Sequence, residues 1–435
     1  MNKVIKNASW IIVCRLIQVI LSFVITMLTA RFLGPSNYGI LNYAISVTAF
    51  FVPIALLGIN STLVQEIVTY PEEEGKILGS SLTMGLFSSL FCVFGVILFA
   101  NIVNSNDSKT IVVCGMYAVV MIFQGMEMIQ YWFQAKLLSK YTSIVSLIAY
   151  VIVSVYKILL LATGMDVEWF ALAYSIDYFI ISAVLIFLYC RRSDTQKLQF
   201  SKTVACRIIN KSKYYIVSAL MVTLFAQQDK VMIKLIVGNE ATGFYSAAVS
   251  IVTMSGFIFT AIIDSFRPVI YEAKYVSLEE YEESITKLYS IIIYMCILQG
   301  LLFTLLAKAI IHIVYGTSYY AAIPVLQILV WYTSFSYIGG IRDIWLLGED
   351  KQKYLIWINL TGALVNMILN YVFISYFGIC GAAIASLLTQ IFTNIGLTFI
   401  VKPIQRNNYF ISRAVNPKYV YVLAKTLCKN ILIKR

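Results

Sequence analysis

A chain of 435 residues that is 60% hydrophobic and only 12% charged, with a mean hydropathy of +0.82, cannot be a water-soluble globule, because soluble domains carry about 25% charged residues. The net charge of +12 does not make it a nucleic-acid binder: the Lys and Arg residues fall in alternate loops rather than on one soluble face. Eight cysteines without CxxC spacing and a single histidine, His312, offer no disulfide framework, no metal site and no nucleophilic pair, so neither a cofactor nor an enzymatic activity is expected.

A membrane span needs ~20 apolar residues. Windows of that width predict an all-α integral membrane protein with twelve spanning helices, at 10–31, 38–59, 77–101, 110–131, 140–163, 169–190, 213–236, 243–265, 288–314, 324–347, 355–375 and 381–401. The first run is too long for a cleavable signal and reads as a retained span. Six windows fall in each half, which predicts an N-terminal six-helix lobe over 1–190, a basic linker over 191–212, a C-terminal six-helix lobe over 213–402 and a basic tail over 403–435. Placing the N-terminus inside assigns 25 Lys and Arg to cytoplasmic segments, leaves four in outer turns (Arg31, Lys109, Lys234, Lys308) and four within spans (Arg15, Lys157, Lys230, Arg342). By the positive-inside rule both termini are expected in the cytoplasm. The linker charge suits an anionic leaflet. Glu72, Glu73 and Glu74 read as a solvated loop, and Val420, Leu423, Leu427 and Ile431 of the tail have the spacing of a surface-lying helix.

A repeat runs through this plan. RFLGPSNYGILNYAIS at 31–46 returns in degenerate form as IVGNEATGFYSAAVS at 236–250, pairing Gly34 with Gly238 and Gly39 with Gly243 at one offset. Both copies fall where two spans must reverse direction. Glycine supplies the positive φ and the close approach, and Pro35 ends a helix. Pro53, inside the second span, is expected to kink it, so Gly34, Pro35, Gly39, Pro53, Gly238 and Gly243 are the candidate hinges.

Ionisable groups within a span cost about 2.5–3.5 kcal/mol each on insertion scales and tend to face a cavity or a partner. Arg15 either snorkels to the headgroups or faces a cavity. Glu127, Asp264 with Arg267, and Arg342 with Asp343 lie near helix ends, close to water. Asp177 sits roughly 12 Å from its helix end, and Lys157 on the previous helix could pair with it or couple with it to an ion gradient. Gln227, Gln228, Asp229 and Lys230 are four consecutive polar residues in a span, the mark of a face on an aqueous cavity.

The pattern LGPxxYGxxxxA at the first turn, followed by DKVMIKLIVGNEATGFYSAA at 229–248, resembles the signature of bacterial polysaccharide exporters and Wzx-type lipid-linked oligosaccharide flippases, in the MOP/MATE-like superfamily. YFGICGAAIASLLTQ at 376–390 is similar to the opening of their last span. The resemblance implies two six-helix lobes related by a pseudo-two-fold axis and alternating access across the bacterial cytoplasmic (inner) membrane. It implies a polyprenyl-diphosphate-linked glycan as cargo, membrane lipids as surroundings, and a polysaccharide polymerase and chain-length regulator as possible partners. An anionic headgroup needs cations along its path, which selects Arg15, Arg31, Lys230, Arg267 and Arg342 as candidate substrate-binding residues and leaves Lys157, Asp177 and Asp229 for ion coupling or an internal ion pair. The alternative is a MATE-like cation-coupled antiporter for drugs or metabolites, which needs an acidic pocket instead. Short outer loops disfavour a polymerase, and the lack of a filter motif disfavours a channel.

Overall fold

The computed structural model describes residues 2–192, 195–416 and 419, with side chains described from residue 13 onward. Among them the chain is helical almost throughout, because a backbone in hydrocarbon must bond within itself, and ten helices are long and apolar enough to cross a membrane. Two of the ten are each a pair of spans, which accounts for the twelve apolar windows. Helix α1 (Asn2–Ala55) is broken at Gly34, φ 70° and ψ 171°. The other break is at Gly378 in Lys353–Ile391, φ 56° and ψ −134°. The protein is a multi-pass membrane protein divided into two compact units, Met1–Gly243 and Phe244–Arg435.

After α1 the first unit runs through α2 (Leu63–Thr69), α3 (Glu74–Val103), α4 (Ser108–Ala118), α5 (Val120–Glu127), α6 (Gln130–Ala135), α7 (Ser139–Thr163), α8 (Val167–Cys190) and α9 (Lys202–Ile236) to the start of α10 (Asn239–Val276). Its aromatic core is at one end, where Trp132 meets Phe133 at 5.1 Å and Tyr189 at 5.0 Å, edge to face. At Pro53 the backbone of α1 stays helical. Gly34 is the non-helical residue within α1, and Pro53 lies in the last turn before Ala55.

The connection after α8 is not a free linker. Residues 195–201 run extended along the start of α3: Gln199 N donates to the Gly75 carbonyl at 3.1 Å, Gly75 N to Gln196 Oε1 at 3.0 Å and Ser201 N to Ser80 Oγ at 2.9 Å. A Cβ at Gly75 or Gly79 would collide with the backbone of Lys197 or Gln199. From Lys202 the chain is already helical, well before the apolar window opens at 213. The acidic run is solvated only at its start: Glu72 is exposed, whereas Glu74 is buried against Lys136 at 2.8 Å and Glu73 meets Arg207 at 2.7 Å.

The second unit continues α10 into α11 (Leu278–Tyr315), α12 (Ala322–Gly348), α13 (Lys353–Ile391), α14 (Leu397–Ile400) and α15 (Arg406–Val415). At 38 residues each, α10 and α11 are ~57 Å long and overreach a ~30 Å hydrocarbon core. The amphipathic α15 docks on α11, with Tyr289 OH donating to Asn407 Oδ1 at 2.7 Å and Ser290 Oγ to the Ala414 carbonyl at 2.7 Å. The predicted surface helix around Val420 to Ile431 lies outside the described residues.

Candidate functional site

The second half of α1 and the first two-thirds of α9 enclose a cleft of about 360 Å³, lined by Ala49, Val52, Pro53, Leu56, Asn60, Ala219, Val222, Thr223, Ala226 and Gln227 among others. Small side chains on facing helices leave the gap, and its walls are mostly apolar. A second hollow of about 130 Å³ shares Val52, Leu56 and Asn60 with it and adds Gln124, Glu127, Gln130, Tyr131 and Tyr178. The two are neighbouring branches on that shared wall, inside the first unit.

Polar groups gather around Gln227 on the wall of the larger branch. Gln227 Oε1 accepts from Ser46 Oγ at 3.0 Å and from Lys230 Nζ at 3.4 Å. Lys230 lies ~9 Å from the Ile236 end of α9, deep for an ammonium whose only neutral anchor is an amide. Asp229 is half-buried beside it. The smaller branch is acidic. Glu127 lines it, and Asp177, next in sequence to the lining residue Tyr178, keeps a buried Oδ1 with no hydrogen-bond partner among the described residues, as does Gln124 through Oε1.

Lys157 is buried but forms no ion pair with Asp177 within 4 Å; its ammonium stands over the Tyr174 ring, 4.1 Å from the centroid, and Tyr174 in turn meets Tyr117 edge to face at 5.1 Å. An aromatic face is thus its direct contact, with the Asp177 carboxylate a more distant electrostatic neighbour. Tyr117, Tyr131, Tyr150, Tyr174 and Tyr178 recur through the spans beside this branch, a concentration visible in the sequence and not singled out there.

The other candidates are dispersed. Arg15 and Arg31 are exposed. Arg267 pairs with Asp264 at 2.9 Å and is half-exposed. Arg342 is buried and fully engaged: Nε and Nη2 hold Asp343 at 3.1 and 2.7 Å, while Nη1 donates to the Thr393 carbonyl at 2.9 Å and to Asn394 Oδ1 at 2.8 Å. It knits α12 to a π-helical turn, Phe392–Gly396, the kind of bulge that needs such a partner. Among the described residues no group of three His, Cys, Asp or Glu side chains could hold a metal ion.

The hinge candidates meet. A Cβ on Gly39 would fall into the Asn239 carbonyl, and one on Gly243 into that of Pro35, so the two copies of the repeated motif cross backbone to backbone. Gly34 and Gly238 carry positive φ, 70° and 122°. Beside the crossing, at the α3–α4 turn, Asp107 caps α4 by accepting from Thr110 N at 3.1 Å. Burial alone would raise its carboxyl, but bonds from Thr110 and Asn239 and the nearby Lys234 ammonium bring it below the usual carboxylate range.

Known structures share this helical multi-pass architecture. Lipid II flippase MurJ in an inward closed conformation superposes with a TM-score of 0.71 at 14% identity, covering 95% of this chain and 92% of that one. A multidrug resistance MATE transporter of the MOP superfamily, inward-facing, gives 0.67 at 13% identity over 89% and 96%. A MOP superfamily transporter from Pyrococcus furiosus gives 0.57 at 12% identity over 93% and 96%. The chain is also 22% identical over 418 residues to an uncharacterized membrane protein of Methanocaldococcus jannaschii, covering 88% of this chain and 81% of that protein. The fold is therefore that of the MOP-superfamily transporters. Within it, the chain belongs to the polysaccharide biosynthesis protein family, whose profile matches residues 4–274.

Proposed function

We propose that this protein is a flippase that moves a polyprenyl-diphosphate-linked oligosaccharide from the cytoplasmic to the outer face of the bacterial cytoplasmic membrane, for assembly of O-antigen, capsule or a related surface polymer. Two six-helix lobes alternate access to the cavity, both termini face the cytoplasm, and the polyprenyl chain stays in lipid while the head crosses. A polymerase and a chain-length regulator would receive the product. The observation that carries this reading is Lys230, whose ammonium bonds to Gln227, a lining residue of the mostly apolar cleft that also accepts from Ser46. A diphosphate leaving water needs such a countercharge, and a single one keeps binding weak enough for release. Arg15 and Arg31 serve at the two membrane faces rather than in the cleft.

The test is surface-glycan export. Lys230→Ala should stop it while the protein still inserts, Lys230→Arg should retain part of it, and normal glycan in Lys230→Ala cells would overturn the reading. The acidic branch supports a second reading, a cation-coupled antiporter, because Glu127 and the unpartnered Asp177 Oδ1 are what a cation or proton would seek. Drug tolerance lost together with Glu127→Gln, with the surface glycan untouched, would favour that alternative.

A further inference from the structure

At the repeat crossing, Lys234 on α9 is only 11% exposed at its side chain. Its ammonium donates to Asn104 Oδ1 at 2.6 Å and reaches Asp107 Oδ2 at 3.4 Å, and it lies 5.3 Å from the centre of the Tyr43 ring. Asn104 Nδ2 donates to Tyr43 OH at 3.1 Å, and Asn239 Nδ2 to Asp107 Oδ2 at 3.1 Å. Four elements are tied here by one cation: the second half of α1, the α3–α4 turn, α9 and the start of α10. Gly39 and Gly243 beneath them supply contact without side-chain bulk.

Lys230 and Lys234 stand four residues apart on α9, hence on one face and about 6 Å from each other. The first bonds to Gln227 on the cleft wall, and the second holds the clasp. We infer that Lys234 is both the key of the outer gate and a second anion site: a diphosphate held at Lys230 passes to Lys234, displaces Asn104 and Asp107 from its ammonium, and so opens the end through which it leaves. This rests on the flippase reading and adds to it a reason why the gate does not open empty. An anion is the ligand that can do this, since only an acceptor stronger than an amide and a 3.4 Å carboxylate contact competes for the lysine.

The full-length protein in lipid nanodiscs would be followed by hydrogen exchange of 104–110 and 234–243, with farnesyl diphosphate as the probe and its binding measured separately by calorimetry. Bound probe should speed exchange in both segments about tenfold, the effect of one charge-assisted hydrogen bond on a two-state equilibrium. Lys230→Ala should abolish that response. Lys234→Met and the milder Asn104→Ala should exchange fast without probe, and Lys234→Arg should remain slow. Probe that binds without faster exchange overturns the trigger while sparing the cargo reading. Probe that does not bind overturns both. Slow exchange in both Lys234→Met and Asn104→Ala shows that the cluster is no gate.

Discussion

Glu66 is 1% exposed and receives two cations, Arg207 through Nε at 3.1 Å and Lys211. Arg207 also reaches Glu73 at 2.7 Å and stacks on Tyr70 at 4.2 Å. A carboxylate this buried keeps its charge only while paired, and removing a partner is expensive. Arg207→Ala should lower stability by about 2 kcal/mol, less than a complete buried-pair break because Lys211 remains and Arg207 is partly exposed. Thermal unfolding in detergent checks this, and the Glu66→Gln/Arg207→Ala double variant should lose less than the two single losses together. None of this was legible in the sequence. The partners lie more than a hundred residues apart, and a run such as Glu72, Glu73 and Glu74 reads as solvated until the fold brings Arg207 and Lys136 to it. Lys157 was legible as an intramembrane charge, but its partner was not: Tyr174 and Asp177 are adjacent turns of one helix, and spacing cannot tell a ring from a carboxylate.

At the scale of elements, the repeated glycine motif does two separable jobs. Gly34 and Gly238 reverse the chain, whereas Gly39 and Gly243 let α1 and α10 touch. A Cβ at Gly34 meets no atom within 4 Å, so Gly34→Ala should cost only the backbone strain of its φ 70°, ψ 171° conformation, about 1–3 kcal/mol. A Cβ at Gly39 collides with backbone that cannot rotate away. Gly39→Ala should therefore lower the melting temperature clearly more than Gly34→Ala, and equal shifts would show that the crossing is loose. The common offset in the sequence displayed the duplication and the turn chemistry. It could not display that the copies pack on one another, because contact between distant segments leaves no mark in either of them.

Over the whole molecule, the number of spans was readable because the bilayer imposes length and hydrophobicity on every crossing independently of its neighbours. The partition was less so. Sequence symmetry divides the chain six and six, while the first compact unit also holds α9, bound at one end by the Glu66 cluster and at the other by Lys234. The acidic branch belongs to this scale too, since coupling is a property of the full cycle. Asp177→Asn should abolish dependence of transport on an ion gradient while leaving insertion and thermal stability near wild type. Transport measured in vesicles with and without an imposed gradient decides it, and an unchanged gradient dependence would remove Asp177 from the mechanism.

The extended segment 195–201, seated where Gly75 and Gly79 leave no room for a side chain, bears on how such proteins can be recombined. A hybrid that joins the first six crossings of one relative to the remainder of another, cut anywhere in this stretch, would mate a foreign peptide to an unmatched trough. Exchanging 71–80 together with 195–201 as a single cassette preserves the fit, and it marks the splice point at which mosaic members of the family should still assemble.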